Sequence, residues 1–392
     1  MMIKKYFKNI SQADFNNLPN KLLKIKLFTI GFIIAGSTIA LSVKPLAAAP
    51  DITSISGTLT HGSAVTITGT GFGTKTPAAP RVWTNFENGT MTPTALGTAT
   101  SWERTSGMSV STQNQEINST YNTRGIVNPD GSSPNVGFIV NYANAANTEG
   151  FTKVYTFVRR YYDDATWWSV MAGQFHNYKY FRIWTNPVGT TTVYPNSYFL
   201  VGNTVPVIRF VTEGSACKAG DDTDWGPGTT TPPAQQWLRE EYTVSRANGT
   251  GVAKQWTNGI LIKNLSNLYT ASGLCSPSPY TDSWISLSIE NFWTLVGPPL
   301  GAYVYFDDIY IDNTWARVMI GDQNTFDAST HREIQIPSAW SGTSITITLN
   351  QGSFTNFNST YLYIIDSDGN VNTNGYPLCP TCPKTPTGLQ IQ

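Results

Sequence analysis

The chain has 392 residues, 40% of them apolar, 12% aromatic and 13% charged, enough for about two ordinary domains with packed cores. The charged share is about half the usual one, and Thr, Ser, Asn and Gly carry the polar surface instead, a balance unlike that of cytosolic enzymes. The formal charge is zero, but residues 1–49 hold seven Lys against the single acid Asp14, so the rest carries 18 basic and 24 acidic residues, a charge of −6. With no Lys/Arg cluster there, nucleic acid is excluded as a partner.

In chain order, the first element is that Lys-rich leader. It runs into the apolar stretch LFTIGFIIAGSTIALSV (27–43) and then Leu46-Ala47-Ala48-Ala49. A basic region, an apolar run and small residues are the marks of a secretory signal peptide. Residues 1–49 are therefore expected to be removed, leaving a secreted or cell-surface protein with no membrane association. No later apolar stretch is long enough to span a bilayer.

From residue 51 onward, helical periodicity is absent and short alternating runs between Gly, Pro, Asn and Asp predict strands throughout. They include AVTITGTGF (64–72), VGFIVNYA (136–143), KVYTFVRRYY (153–162), KYFRIW (179–184), EYTVSR (241–246), SWISLSIENFW (283–293), YVYFDDIYID (303–312), SITITL (344–349) and TYLYIID (360–366). The fold class expected is all-β. Residues 50–80 and 314–378 are each too short for a core of their own. They are expected to pair into one discontinuous domain, with a larger sandwich, 81–313, inserted between them. Residues 379–392 (CPTCPKTPTGLQIQ) read as a linker or tail.

Secretion permits disulfides. Of the four cysteines, Cys217 and Cys275 lie in Gly/Ser/Pro-rich stretches and are expected to staple two loops. Cys379 and Cys382 have CxxC spacing with no partner motif nearby, and read as a small structural disulfide or a crosslink between copies.

The richest strand for chemistry is 174–184. Side chains alternate faces along a strand, which puts Gln174, His176, Tyr178, Tyr180, Arg182 and Trp184 on one side. That ladder of aromatics and hydrogen bonders suits an extended glycan. Strand 153–162 is expected beside it, adding Tyr155, Arg159 and Tyr161. Adjacent Glu240 and Glu241 must face opposite ways and cannot flank one glycosidic bond. His61 is isolated, and His331-Arg332-Glu333 reads as surface. No Ser-His-Asp motif, phosphate loop or zinc signature is present.

Two resemblances add to this. Ile52, Ser54, Gly62, Val65-Thr66-Ile67-Thr68-Gly69 and Gly71-Phe72-Gly73 resemble the opening of IPT/TIG domains, Ig-like modules of bacterial surface proteins. Residues 81–313 resemble concanavalin-A-like jelly rolls of polysaccharide lyases and carbohydrate-binding modules. This likeness rests on Phe86-Glu87-Asn88-Gly89, KYFRIW, the strand from Trp237 to Tyr242 with its following hairpin, and Tyr305-Phe-Asp-Asp-Ile-Tyr-Ile-Asp312. The jelly-roll resemblance implies a structural Ca²⁺ held by Glu87 and by Asp307 or Asp308, oxygen ligands of the hard kind calcium takes. Gln174-Phe175-His176 is similar to the Gln-x-His motif of jelly-roll alginate lyases. That similarity implies β-elimination, with Gln174 or Arg182 neutralising the uronate carboxylate, His176 as base and Tyr178 or Tyr180 as acid. The Arg-rich and Tyr-Lys-x-Gly-x-Tyr motifs of those lyases are missing, however. The function expected is thus non-catalytic binding of a polysaccharide or cell-surface glycan. A uronide lyase and a self-assembling structural surface component are the alternatives.

Overall fold

The computed structural model describes residues 48–92, 95–96, 107–126, 138–141, 152–168, 177–184, 198–204, 207–213, 223–224, 231–269, 286–293 and 301–379. The expected signal peptide, Gln174, His176, Cys217, Cys275 and Cys382 lie outside the described residues. Cys379 is disulfide-bonded.

The named elements are all strands. The N-terminal segment supplies β1 (Asp51–Gly57) and β2 (Ala64–Thr70). The middle supplies β3 (Val82–Thr84), β4 (Ala95–Leu96), β5 (Met108–Ser111), β6 (Asn122–Ile126), β7 (Phe138–Asn141), β8 (Lys153–Tyr162), β9 (Asn177–Trp184) and β10 (Tyr198–Thr204). It continues with β11 (Val207–Glu213), β12 (Thr223–Asp224), β13 (Leu238–Ser245), β14 (Asn248–Thr257), β15 (Ile260–Tyr269), β16 (Ser286–Trp293) and β17 (Tyr303–Asp312). The C-terminal segment supplies β18 (Arg317–Gly321), β19 (Arg332–Trp340), β20 (Ser344–Thr348), β21 (Tyr361–Ile365) and β22 (Tyr376–Pro377).

The two ends of the chain share one sheet, ordered β1-β2-β20-β19-β18-β21-β22. Its join is β2 against β20, antiparallel, from Ala64 opposite Thr348 to Thr68 opposite Ser344. The alternation of AVTITGT and SITIT sends Val65, Ile67, Ile345 and Ile347 inward. Strand β19 gives its first half to β18 and its second half to β20. Side chains from both halves then meet in one core with Ile52, Phe72, Val318, Ile320, Leu362 and Ile364. Gly69 is required here by close approach, since a Cβ would stand 2.0 Å from the Asp51 carbonyl oxygen.

The middle segment is an antiparallel jelly-roll sandwich. A six-stranded sheet (β12-β11-β10-β9-β16-β7) faces a nine-stranded one built on β15-β14-β13-β8-β17-β3-β4, with β5 and β6 beside β17. Phe138, Phe181, Ile183, Leu287 and Ile289 from the first sheet pack on Val158, Tyr242, Val304, Phe306 and Ile309 from the second. Strand β8 therefore lies across the core from β9 and not beside it. The neighbours of β9 are β10 and β16. This corrects the expected pairing of strand 153–162 with strand 174–184.

A third core joins the two bodies. Met319, Ile334, Tyr363 and Ile365 of the terminal sandwich pack on Trp83, Tyr155, Phe157 and Tyr310 on the outer face of the nine-stranded sheet. Buried side chains on both faces explain the nearly continuous burial of β8, β17 and β18. The β14–β15 hairpin adds a contact through its Asn258-Gly259 turn, where both residues have positive φ (47° and 73°), the geometry that closes two-residue hairpins. A Cβ on Gly259 would lie 2.1 Å from the Ser329 carbonyl oxygen. Gly259→Ala is expected to cost about 1–3 kcal/mol from left-handed strain and this clash. Gly62→Ala, with φ +80° and no atom within 4 Å, meets the backbone strain alone. Thermal unfolding of the pair separates the two contributions.

Candidate functional site

The outer face of the nine-stranded sheet is largely roofed by the terminal sandwich, whereas among the described residues no packed core lies on the outer face of the six-stranded sheet. Strand β9 is central to the six-stranded sheet. Phe181 and Ile183 point into the core, so Arg182 points out, and it is partly exposed. Opposite it in register stands Ser288 of β16, between Leu287 and Ile289, which are also in the core. Ser288 is 0% exposed, and its Oγ has no hydrogen-bond partner. An unpaired buried hydroxyl costs about 1–3 kcal/mol, and Ser288 carries that cost beneath the surface beside Arg182.

The expected ladder along 174–184 is broken at Tyr180. A register shift between Val201 and Gly202 of β10 leaves Tyr180 as an extra residue in β9, and a bulge disturbs strict alternation. Tyr180 is fully buried with Phe181. Its hydroxyl donates to Glu240, and the Arg160 guanidinium lies 3.6 Å from its ring centre. Tyr180 is thus corrected from ligand face to core. The side chains of Tyr178 and Trp184 lie outside the described residues, as do Gln174 and His176.

Tyr155 and Arg159 are also corrected. They point away from β9 into the seam with the terminal sandwich, and are 0% and 2% exposed, so neither meets a glycan. The Tyr155 hydroxyl donates to Glu241 at 3.1 Å. Glu241 also receives Arg332 at 2.7 Å, while Glu240 turns inward to Arg160 at 3.3 Å, the opposed facing that adjacency dictates.

Arg159 anchors the second ion cluster of the seam. It pairs with Asp308 at 3.2 Å and with Glu116 and Glu333, and Arg239 reaches Glu333 at 2.9 Å. Burial alone would push the Glu333 carboxyl up, but Arg159, Arg239 and the His331 hydrogen bond outweigh it and hold the carboxyl well below the usual range. The sequence missed this cluster. His331-Arg332-Glu333 reads as a surface run, yet Arg332 and Glu333 are 1% and 0% exposed. Ser353 Oγ and Glu333 Oε1 both meet the same ring nitrogen of His331, at 2.9 and 2.6 Å. A relay needs the two ring nitrogens to serve different partners, so this is no hydrolase triad.

Beside the cluster lies a cavity of about 20 Å³, room for about one water or one small ion. It brings together Glu87, Asp307 and Asp308, the acids named for calcium, with Asn85, Ser119 and the Arg159 guanidinium of the jelly roll and His61, Asn350 and Gly352 of the terminal sandwich. Glu87 Oε1 accepts from Ser119 Oγ, Thr120 N and Tyr121 N at 2.8–3.1 Å. Ser119 Oγ also reaches Asp307 Oδ2 at 2.9 Å. Asp308 has a positive φ of 44° at a register shift in β17, which turns both acids toward the cavity. Burial, then the neighbouring Asp308 charge, push the Asp307 carboxyl well above its usual range, and burial raises Asp308 also. Two buried acids so raised, set among amide, hydroxyl and carboxylate oxygens, have the chemistry a hard cation satisfies. No three His, Cys, Asp or Glu side chains among the described residues close on a common centre. Amide, carbonyl or water oxygens would have to complete the shell.

No protein-family model and no curated protein matches the chain. Among solved structures, a marine PL-14 alginate lyase from Aplysia kurodai is similar over 52% of this chain and 86% of that one, at 13% identity and a TM-score of 0.35. The binding domain of botulinum neurotoxin serotype G is similar over 73% of this chain and 72% of that one, at 9% identity and a TM-score of 0.39. The catalytic domain of a glycoside hydrolase family 131 protein from Coprinopsis cinerea is similar over 59% and 93% respectively, at 15% identity and a TM-score of 0.30.

Proposed function

We propose that the chain is a secreted, non-catalytic carbohydrate-binding protein that presents the Arg182 face of its six-stranded sheet to a polysaccharide, with the terminal sandwich as an Ig-like spacer. The observation that carries this is the part-exposed Arg182 at the centre of that sheet, on the side of β9 opposite Phe181 and Ile183 of the core. A guanidinium serves sugar hydroxyls or a carboxylate. The low charge and the 12% aromatic content support the same reading. The test is a panel of neutral and uronic-acid polysaccharides, with affinity-gel retention and ultraviolet absorbance of unsaturated ends followed together. Retention without absorbance supports binding. Absorbance that His176→Ala abolishes would make the chain a lyase, and neither signal would favour a structural surface role.

A calcium ion is part of the proposal. Glu87, Asp307 and Asp308 would hold it, and when bound it would supply charge neutralisation at the junction of the two bodies. Calcium is expected to raise the thermal midpoint of the wild-type protein, and Asp307→Asn to remove most of that rise. An equal rise in the variant would place the ion elsewhere.

A further inference from the structure

One row on the outer face of the nine-stranded sheet is rich in aromatic side chains and lies outside the core shared with the terminal sandwich. Tyr161 of β8 lies opposite Tyr305 of β17, Tyr305 opposite Arg124 of β6, and Trp237 continues the register of β13 against β8, where Leu238 faces Arg160. Four neighbouring strands thus set Trp237, Tyr161, Tyr305 and Arg124 in a line across the sheet, at roughly 4.8 Å per strand. The ring centres of Trp237 and Tyr161 are 5.6 Å apart, and those of Tyr161 and Tyr305 are 5.7 Å apart. The Arg124 guanidinium lies 4.5 Å from the centre of the Tyr303 ring. Two residues back on β8, Arg159 is sealed by the seam, and Tyr305 in the middle of the row is itself 1% exposed; Trp237, Tyr161, Arg124 and Tyr303, the residue two before Tyr305 on β17, keep part of their surface open. The row is fixed in place: Trp237 Nε1 donates to the Asn114 carbonyl at 2.9 Å and Arg124 to the Gln113 side chain. Asp163, the nearby acid, accepts from the Tyr303 backbone N–H at 2.8 Å and feels the Arg124 charge.

We infer that this row is a second polysaccharide-binding surface, on the opposite side of the jelly roll from the Arg182 face, and that it takes a uronic-acid-bearing chain lying across the strands. The part-exposed rings of Trp237 and Tyr161 at one end and of Tyr303 at the other offer stacking faces to pyranose rings, with the buried Tyr305 as the floor between them. Arg124 ends the row with the planar fork that pairs with a carboxylate. A ligand of aromatic or purely apolar character would leave that guanidinium unused. The inference rests on the carbohydrate-binding reading, and the two are separable.

The test is affinity electrophoresis of the full chain in gels containing polygalacturonate or a neutral glucan, with Tyr161→Ala, Arg124→Ala, Tyr161→Phe and Arg182→Ala, each checked by thermal unfolding. Tyr161→Ala and Arg124→Ala are expected to weaken retention by polygalacturonate about tenfold, while Tyr161→Phe, which keeps the ring, retains it. If Arg182→Ala weakens retention and the row variants do not, the carbohydrate reading stands and the second surface falls. Equal retention of the wild type by polyuronate and neutral glucan overturns the uronate assignment. No retention of the wild type by either polymer overturns both claims. A Tyr161→Ala protein that fails to fold leaves Arg124→Ala and Tyr161→Phe to decide.

Discussion

Glu333→Gln is expected to destabilise the protein by about 3–5 kcal/mol, the usual cost of removing one partner from a buried ion pair. Glu333 is fully buried and shared by Arg159 and Arg239, so the neutral amide leaves two guanidinium groups short of countercharge in the seam. The pH dependence carries a defined sign. The folded carboxyl is held well below its ordinary value of 4.5, so its contribution is fully present above that value and is lost as pH falls below it toward the folded one. Thermal midpoints measured from neutral pH downward should therefore fall on the acid side in the wild type. The slope should be shallower in Glu333→Gln. Parallel acid slopes would show that Glu333 is not the group that couples the seam to protons.

Ile67→Ala is expected to cost about 2–5 kcal/mol, the range for truncating a buried aliphatic side chain. Ile67 is 0% exposed and sits in β2 opposite Ile345 of β20. The cavity opens between segments almost three hundred residues apart in sequence, as the 67–345 pairing shows. Limited proteolysis should then find its first new cuts within 314–378 as well as near the substitution. New cuts confined to the N-terminal segment would mean that the two ends do not share a cooperative core.

Much of the architecture is legible in short patterns. AVTITGT and SITIT alternate, neither end has enough apolar residues to close a core alone, and the two strands lie side by side. The opposed facing of Glu240 and Glu241 follows from adjacency alone. Alternation sorts side chains into two faces, however, and says nothing about what covers each face. Tyr155 and Arg159 belong to one face of β8, but that face is roofed by Met319 and Tyr363 from the terminal sandwich. Tyr180 is lost to a bulge, a local insertion with no mark in the run NYKYFRIW. Arg332 and Glu333 look like surface charges because a buried charge is recognised by its partner, and here the partners Glu241 and Arg159 come from another body. Glu87, Asp307 and Asp308 were brought to notice by the jelly-roll resemblance, and they do line one cavity. Three more lining residues, His61, Asn350 and Gly352, come from the terminal sandwich, and no local sequence signal could place them there.

The account turns on whether the Arg182 face of the six-stranded sheet receives the glycan. The most direct measurement is calorimetric titration of an oligosaccharide, cut from whichever polymer retains the wild-type protein, into the wild type and Arg182→Ala at matched thermal stability. The account predicts an affinity at least about tenfold weaker in the variant, a difference of about 1.4 kcal/mol. An unchanged affinity would contradict it and take the ligand off the six-stranded sheet.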